Sequence, residues 1–213
     1  MKIELENVKP MDIEKRSFEI ITEELGDKKL LPGTELIVKR CIHTSADFDY
    51  AENLCFSENA VERAIEAIKN GACIVTDTQM AKSGINKRAL SRYGGEVYCF
   101  MSDEDVAELA KKNGTTRATA SMDKAASLDK KLIFAIGNAP TALVRLYELI
   151  EEGKLSPELV IGVPVGFVNV VQSKVLIMEA DVPYIVARGR KGGSNIAACI
   201  CNALLYMIDN RRD

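Results

Sequence analysis

The sequence predicts a doubly wound α/β fold: one mainly parallel sheet with helices on both faces. Three observations carry this. Six short runs rich in β-branched and aromatic residues alternate with stretches of helical periodicity. Several of those runs are apolar throughout, as strands covered on both faces are. No repeat, low-complexity segment or linker-like shift in composition divides the chain, so residues 1–213 are expected to form one domain.

The first 50 residues stand apart. Residues 10–25 have an amphipathic helical pattern, with Ile13, Ser17, Ile20 and Ile21 on one face, ended by Gly26-Asp27. Leu31-Pro32-Gly33 breaks the chain. Thr34 or Glu35 opens a second helix, where spacings of four and three place Leu36, Arg40 and His43 on one side. The first strand is 54–56. Ser57 is expected to cap a helix running to Asn70-Gly71, with Ala60, Ala64, Ile65 and Ile68 on its inner face. Strand 72–76 leads into the polar loop Asp77-Thr78-Gln79-Met80. A short helix over 86–93 stops at Gly94-Gly95, and strand 96–100 follows. Asp103 is expected to cap a helix ending near Asn113-Gly114, with the next helix over 116–128. Strand 132–136 precedes a helix that opens at Pro140 and ends at Glu152-Gly153. Strands 159–163 and 184–187 flank a helix over 168–180, and a helix over 195–210 completes the set.

Composition excludes several function classes. A net charge of −3 provides no basic field to recruit nucleic acid. No apolar stretch is long enough to span a bilayer, and Met1-Lys2-Ile3-Glu4-Leu5-Glu6 has no signal-like apolar region, so a cytoplasmic protein is expected. The six cysteines form no C-x-x-C pair, and a single histidine leaves few further zinc ligands. The expectation is a reduced protein with no metal site.

In open parallel sheets, ligands bind beyond the carboxyl ends of the strands. Four strand-end segments here combine small residues with hydroxyl, amide or cationic groups: Asp77 to Met80, Gly137 to Thr141, Gly162 to Phe167, and Arg188 to Asn195. The last three lead into helices, whose N-terminal N–H groups favour anions. Neither a P-loop nor G-x-G-x-x-G occurs, since Lys191 is followed by Gly192. The pattern points to a site for a small polyanion, probed by Arg16, Arg40, Arg117, Arg188, Arg190 and Lys191. His43 is the chain's one imidazole and so its one neutral-pH acid–base candidate of that type.

Five segments, in order, carry a family resemblance. They are Arg40-Cys41-Ile42-His43-Thr44-Ser45-Ala46-Asp47-Phe48-Asp49, Thr76-Asp77-Thr78-Gln79-Met80, Gly137-Asn138-Ala139-Pro140-Thr141-Ala142-Leu143, Gly162-Val163-Pro164-Val165-Gly166-Phe167-Val168, and Gly189-Arg190-Lys191-Gly192-Gly193-Ser194-Asn195. Together they resemble the precorrin-8X and cobalt-precorrin-8 methylmutases from about Met11 to about Leu204. The resemblance implies a flavodoxin-like homodimer acting in cobalamin biosynthesis. It implies a methyl shift from C-11 to C-12 of a polycarboxylate corrinoid, giving hydrogenobyrinate or cobyrinate, with no cofactor. It also implies that His43 is the proton donor and acceptor and that Ser17 and Arg40 bind substrate. From position and chemistry, Thr78, Arg117, Asn138, Lys191 and Ser194 are further substrate-binding candidates. Three other readings stay open on the residues alone: a tetrapyrrole carrier without catalysis, a nucleotide-binding α/β module, and a hydrolase using Cys41.

Overall fold

The computed structural model describes residues 5–209. Six strands form one sheet: β1 (Leu54–Phe56), β2 (Cys73–Thr76), β3 (Val97–Tyr98), β4 (Leu132–Ile136), β5 (Leu159–Gly162) and β6 (Tyr184–Ala187). Their order is β1-β6-β5-β4-β2-β3. Edge strand β1 runs antiparallel to β6, and every other pairing is parallel. All six expected strands are present, and the sheet is mainly parallel.

Register explains why the strands read as unbroken apolar runs. Ile74, Ile133 and Leu159 stand side by side across β2, β4 and β5, as do Val75, Phe134 and Val160 one residue on. Successive side chains point to opposite faces. The first row joins a core with residues of α2 (Glu35–Ser45), α4 (Ala60–Lys69), α5 (Gln79–Gly84), α6 (Lys87–Ser91) and α11 (Ser194–Asp209). The second row joins a core with residues of α7 (Glu104–Asn113), α8 (Arg117–Ala126), α9 (Pro140–Glu151) and α10 (Val170–Glu179). Helices therefore cover both faces. Full burial of Ile196, Ile200, Leu204 and Leu205 on α11 contributes about 1.5–3 kcal/mol for each.

The remaining helices are α1 (Ile13–Leu25), preceded by a 3-10 turn (Pro10–Asp12), and α3 (Tyr50–Asn53). On α1 only Ile21 is buried, and Ile13, placed on the inner face by periodicity, is exposed. Ser57 does not cap α4. That position belongs to Asn59 in a left-handed conformation, and the Ser57 hydroxyl instead accepts the Tyr184 N–H, tying β6 to the sheet edge. Asp103 holds the N-cap position of α7, but its carboxylate pairs with Lys124 at 2.7 Å rather than capping. The segment Asp77 to Met80 is only half loop, because the Thr78 hydroxyl accepts the Ala81 N–H and starts α5. The expected final residue of the last helix, Asn210, lies outside the described residues. Among the described residues no helix is long and apolar enough to cross a membrane.

Strand order sets where a ligand can reach. The parallel strands β3 and β4 lie on opposite sides of β2, so the connections after β2 and β4 leave the sheet edge in opposite directions. Such a reversal opens a crevice at the carboxyl edge. The loops after β2, β4, β5 and β6 all lie along that edge.

Candidate active site

Arg40 and His43 sit one turn apart on α2 and meet the same ring. The Arg40 guanidinium lies 5.4 Å from the Phe18 centroid, and the His43 ring meets Phe18 edge-on at 5.5 Å. Tyr206 of α11 covers Arg40 at 4.6 Å. Two aromatic rings thus hold a planar cation in place, an arrangement open to guanidinium and poorly matched by ammonium. Glu14 of α1 pairs with Arg40 Nη2 at 2.8 Å. Arg40 is 7% exposed, and its Nε has no hydrogen-bond partner among the described residues. His43, by contrast, is exposed.

A groove of about 270 Å³ runs beside this cluster, lined by Arg40, Thr44, Gly84, Ala198, Cys199 and Tyr206, with Asn195 and Asn202. The α11 residues recur at helical spacing and so share one face. Gly84 makes this approach possible: a Cβ there would sit 2.9 Å from the Ala198 Cβ. Cys199 faces Cys41 and Thr44, whose hydroxyl is 3.3 Å from its sulfur. Hydrogen bonding from the Cys41 thiol, with help from Thr44 and the Arg40 charge, brings the Cys199 pKa down to about 7 against the effect of burial. Cys41 moves the other way, raised well above the usual thiol range by its bond to Cys199 and by burial. A fully buried thiol held protonated is not a nucleophile, which removes the Cys41 hydrolase reading.

A second cluster lies at the carboxyl edge of the sheet. The hydroxyls of Thr78 and Ser194 are 2.8 Å apart, joining the start of α5 to the start of α11. Asn138 is exposed, while its backbone N–H is held by the Asp77 carboxylate at 2.8 Å. Arg117, also exposed, is the first residue of α8. The neighbouring Thr116 hydroxyl lies 3.0 Å from that of Thr141, which draws the start of α8 to the start of α9. Loops pack here without side chains between them. A Cβ on Gly192 would come within 2.0 Å of the Val163 carbonyl oxygen. Buried Lys174 of α10 donates to the carbonyls of Gly189 and Lys191 at 2.8 and 2.9 Å.

Lys191 links the two clusters. Its ammonium pairs with Asp47 and Asp49 at 2.6 Å each, just beyond the end of α2. The hydrogen bond from Lys191 lowers the pKa of Asp47. Ser17 precedes Phe18 on α1 and is partly buried, with its hydroxyl bonded to the Ile13 carbonyl. Other expected cations are engaged elsewhere. Arg16 pairs with Glu6, Glu19 and Glu23; Arg188 donates to the Cys55 sulfur; Arg190 lies 5.4 Å from the Phe167 ring. Sequence alone gives no individual role to Asp77, Lys174, Asn195, Cys199 or Tyr206. Asp77 and Asn195 stand inside the strand-end segments singled out above, and the α11 members recur along one helix face.

The fold and these clusters define an α/β protein whose single imidazole stands open beside a fixed guanidinium. Known proteins narrow that class to one. A model of the precorrin-8X methylmutase family matches residues 12–207. The chain is 46% identical over 203 residues to the cobalt-precorrin-8 methylmutase of Priestia megaterium, covering 95% of this chain and 90% of that one. It is 45% identical to the cobalt-precorrin-8 methylmutase of Salmonella typhimurium, covering 92% and 95%. The crystal structure of precorrin-8X methylmutase from Thermus thermophilus superposes with a TM-score of 0.84 at 40% identity, covering 93% of this chain and 98% of that one. The chain belongs to the precorrin-8X methylmutase family, isomerases of cobalamin biosynthesis.

Proposed function

We propose that the chain moves a methyl group from C-11 to C-12 of the corrinoid precursor, with His43 lending a proton to the ring system and taking it back. The observation that carries this is the exposed His43 ring and the buried Arg40 guanidinium sharing Phe18. Protonation of a ring nitrogen withdraws electron density and favours migration. The product then returns the proton, so the reaction is balanced without reductant, oxidant or cofactor. An imidazole can both give and take a proton, so one side chain serves both directions. Arg40 is the carboxylate anchor: its unpartnered Nε is a donor still to be satisfied. Ser17, Thr78, Arg117, Asn138, Lys191 and Ser194 make the remaining substrate contacts along the rim.

The two relatives with 46% and 45% identity are named for the cobalt-loaded substrate, which favours that form here. Cobalt is then cargo inside the ring. Among the described residues no group of three or more His, Cys, Asp and Glu is arranged to hold a metal. A groove of about 270 Å³ is smaller than the usual volume for a drug-sized ligand, roughly 300–1,000 Å³, and a corrinoid is larger still. Val165, Phe167 and Val168 are exposed on the loop after β5. Their exposure together on one loop supports a homodimer in which a second copy covers this edge. Numbered by sequence, the five parallel strands have the order 2-1-3-4-5, which supports a flavodoxin-like fold. Six free thiols suit the reducing cytoplasm.

The test is direct. The purified chain is incubated with metal-free and with cobalt-loaded substrate while the visible spectrum is followed. Conversion of the cobalt form to cobyrinate is the expected result, and no spectral change with either substrate overturns the assignment. Arg40→Ala is expected to weaken substrate binding by about 1.5–3 kcal/mol, or roughly 10–150-fold, the loss of a charged hydrogen bond. Titration of the corrinoid chromophore measures it, and unchanged affinity removes Arg40 from the site.

A further inference from the structure

Three charged side chains are buried among the described residues: Arg40, Asp77 and Lys174. Arg40 has Glu14 as its counter-ion. Asp77, 1% exposed, faces backbone N–H groups instead. Its Oδ1 accepts the Gly137 N–H at 2.9 Å, and its Oδ2 accepts those of Asn138 and Ala139 at 2.8 and 2.6 Å. Burial pushes the Asp77 carboxyl above its usual range, while these three bonds pull it back. A buried carboxylate is costly unless its oxygens are so satisfied. Simple helix capping does not require it, since a short hydroxyl or amide at position 139 would cap α9 at less cost.

The location explains what the carboxylate is for. Asp77 directly follows β2, where the strand order reverses between β2 and β4, the place where open α/β sheets hold ligand anions. Three successive N–H groups converging on one point make an anion-binding nest. In this chain the nest already contains its anion. Gly137, at the head of the nest, touches the loop after β6: a Cβ there would lie 2.7 Å from both the Gly193 oxygen and the Ser194 Cα. Thr78, next in sequence to Asp77, is bonded to Ser194 at 2.8 Å. The carboxylate thus holds the loop carrying Asn138, and that loop and Thr78 each meet the segment carrying Ser194.

We propose that Asp77 is a positioning residue for the methyl shift: it fills the anion nest of residues 137–139 and thereby sets Asn138 and Ser194 against the substrate. The inference rests on reading those loops as substrate-binding. It also means that ligand carboxylates are received elsewhere, on the Arg40 side. A nest emptied by mutation will take a small carboxylate from solution.

The probe is formate, with chloride at equal ionic strength as control. Asp77→Ala is expected to fold, to show a KM raised about tenfold or more with a smaller loss in kcat, and to recover much of that KM in formate. Its Tm is expected to rise in formate, while wild type responds to neither salt. A folded Asp77→Ala with unchanged KM, or with a raised KM that formate leaves alone, overturns the proposal. A formate-dependent Tm with unchanged KM also overturns it, since the nest would then serve stability only. Should Asp77→Ala not fold, Asp77→Asn keeps the side-chain volume, and the same raised KM is required of it. Wild type that fails to isomerise would sink the functional reading instead; the formate-dependent Tm of Asp77→Ala then still decides whether the nest binds a carboxylate.

Discussion

His43→Ala is expected to bind the corrinoid and to isomerise it about 10²–10⁴-fold more slowly, the range general acid–base groups contribute. The reasons are structural. The imidazole is exposed, and its ring contact is the edge-on meeting with Phe18. Removing it leaves no buried cavity, so the fold should be indifferent. Arg40 keeps Glu14, Phe18 and Tyr206, so the carboxylate anchor survives. Binding and chemistry therefore separate: titration of the chromophore reports the first, and single-turnover spectra report the second. Undiminished turnover in the variant excludes His43 as the proton carrier. Failure to bind would instead make the imidazole part of the anchor.

Much of this architecture is legible in the sequence because its cause is local. Strands buried on two faces must be apolar at every position, and β4 and β5 display that without interruption. Arg40 and His43 are legible as a pair because a helix places residues three apart side by side. Other features depend on partners far along the chain. The six-residue α5 is too short to show a period, and its cap, Thr78, looks like any loop threonine. Lys191 reads as a free cation from its glycine-rich surroundings, yet two aspartates more than 140 positions earlier claim it. Cys199 is an ordinary helix cysteine until Cys41, Thr44 and Arg40 are brought around it. The burial of Asp77 and Lys174 is the hardest feature to foresee. Charged residues belong at the surface by composition rules, and only the fold reveals that backbone groups alone satisfy them.

Lys174 carries the second large effect, and it appears in stability against pH. The side chain is 1% exposed on α10, and its ammonium donates to the Gly189 and Lys191 carbonyls. Burial brings its pKa down from 10.5 to about 8. Below pH 8 the lysine is charged in both the folded and the unfolded chain, and the fold bears the full cost of burying that charge. Between pH 8 and 10.5 the folded protein has released a proton that the unfolded chain still holds. Unfolding then takes up a proton, so rising pH opposes it. The contribution of Lys174 should therefore become more favourable across that window, by up to about 3 kcal/mol. Urea unfolding of wild type and Lys174→Met measures this as a difference, in which the titration of unrelated tyrosines and thiols cancels. The wild-type advantage should grow steadily from pH 8 to 10.5; a flat difference means that burial does not lower the lysine's pKa in the fold. Function should not follow the same curve. A neutral amine retains two N–H donors, enough for both carbonyls, so the loop that carries Lys191 and leads to Ser194 keeps its shape above pH 8. Lys174→Met removes both donors, leaves two carbonyls unsatisfied, and should displace that loop at every pH.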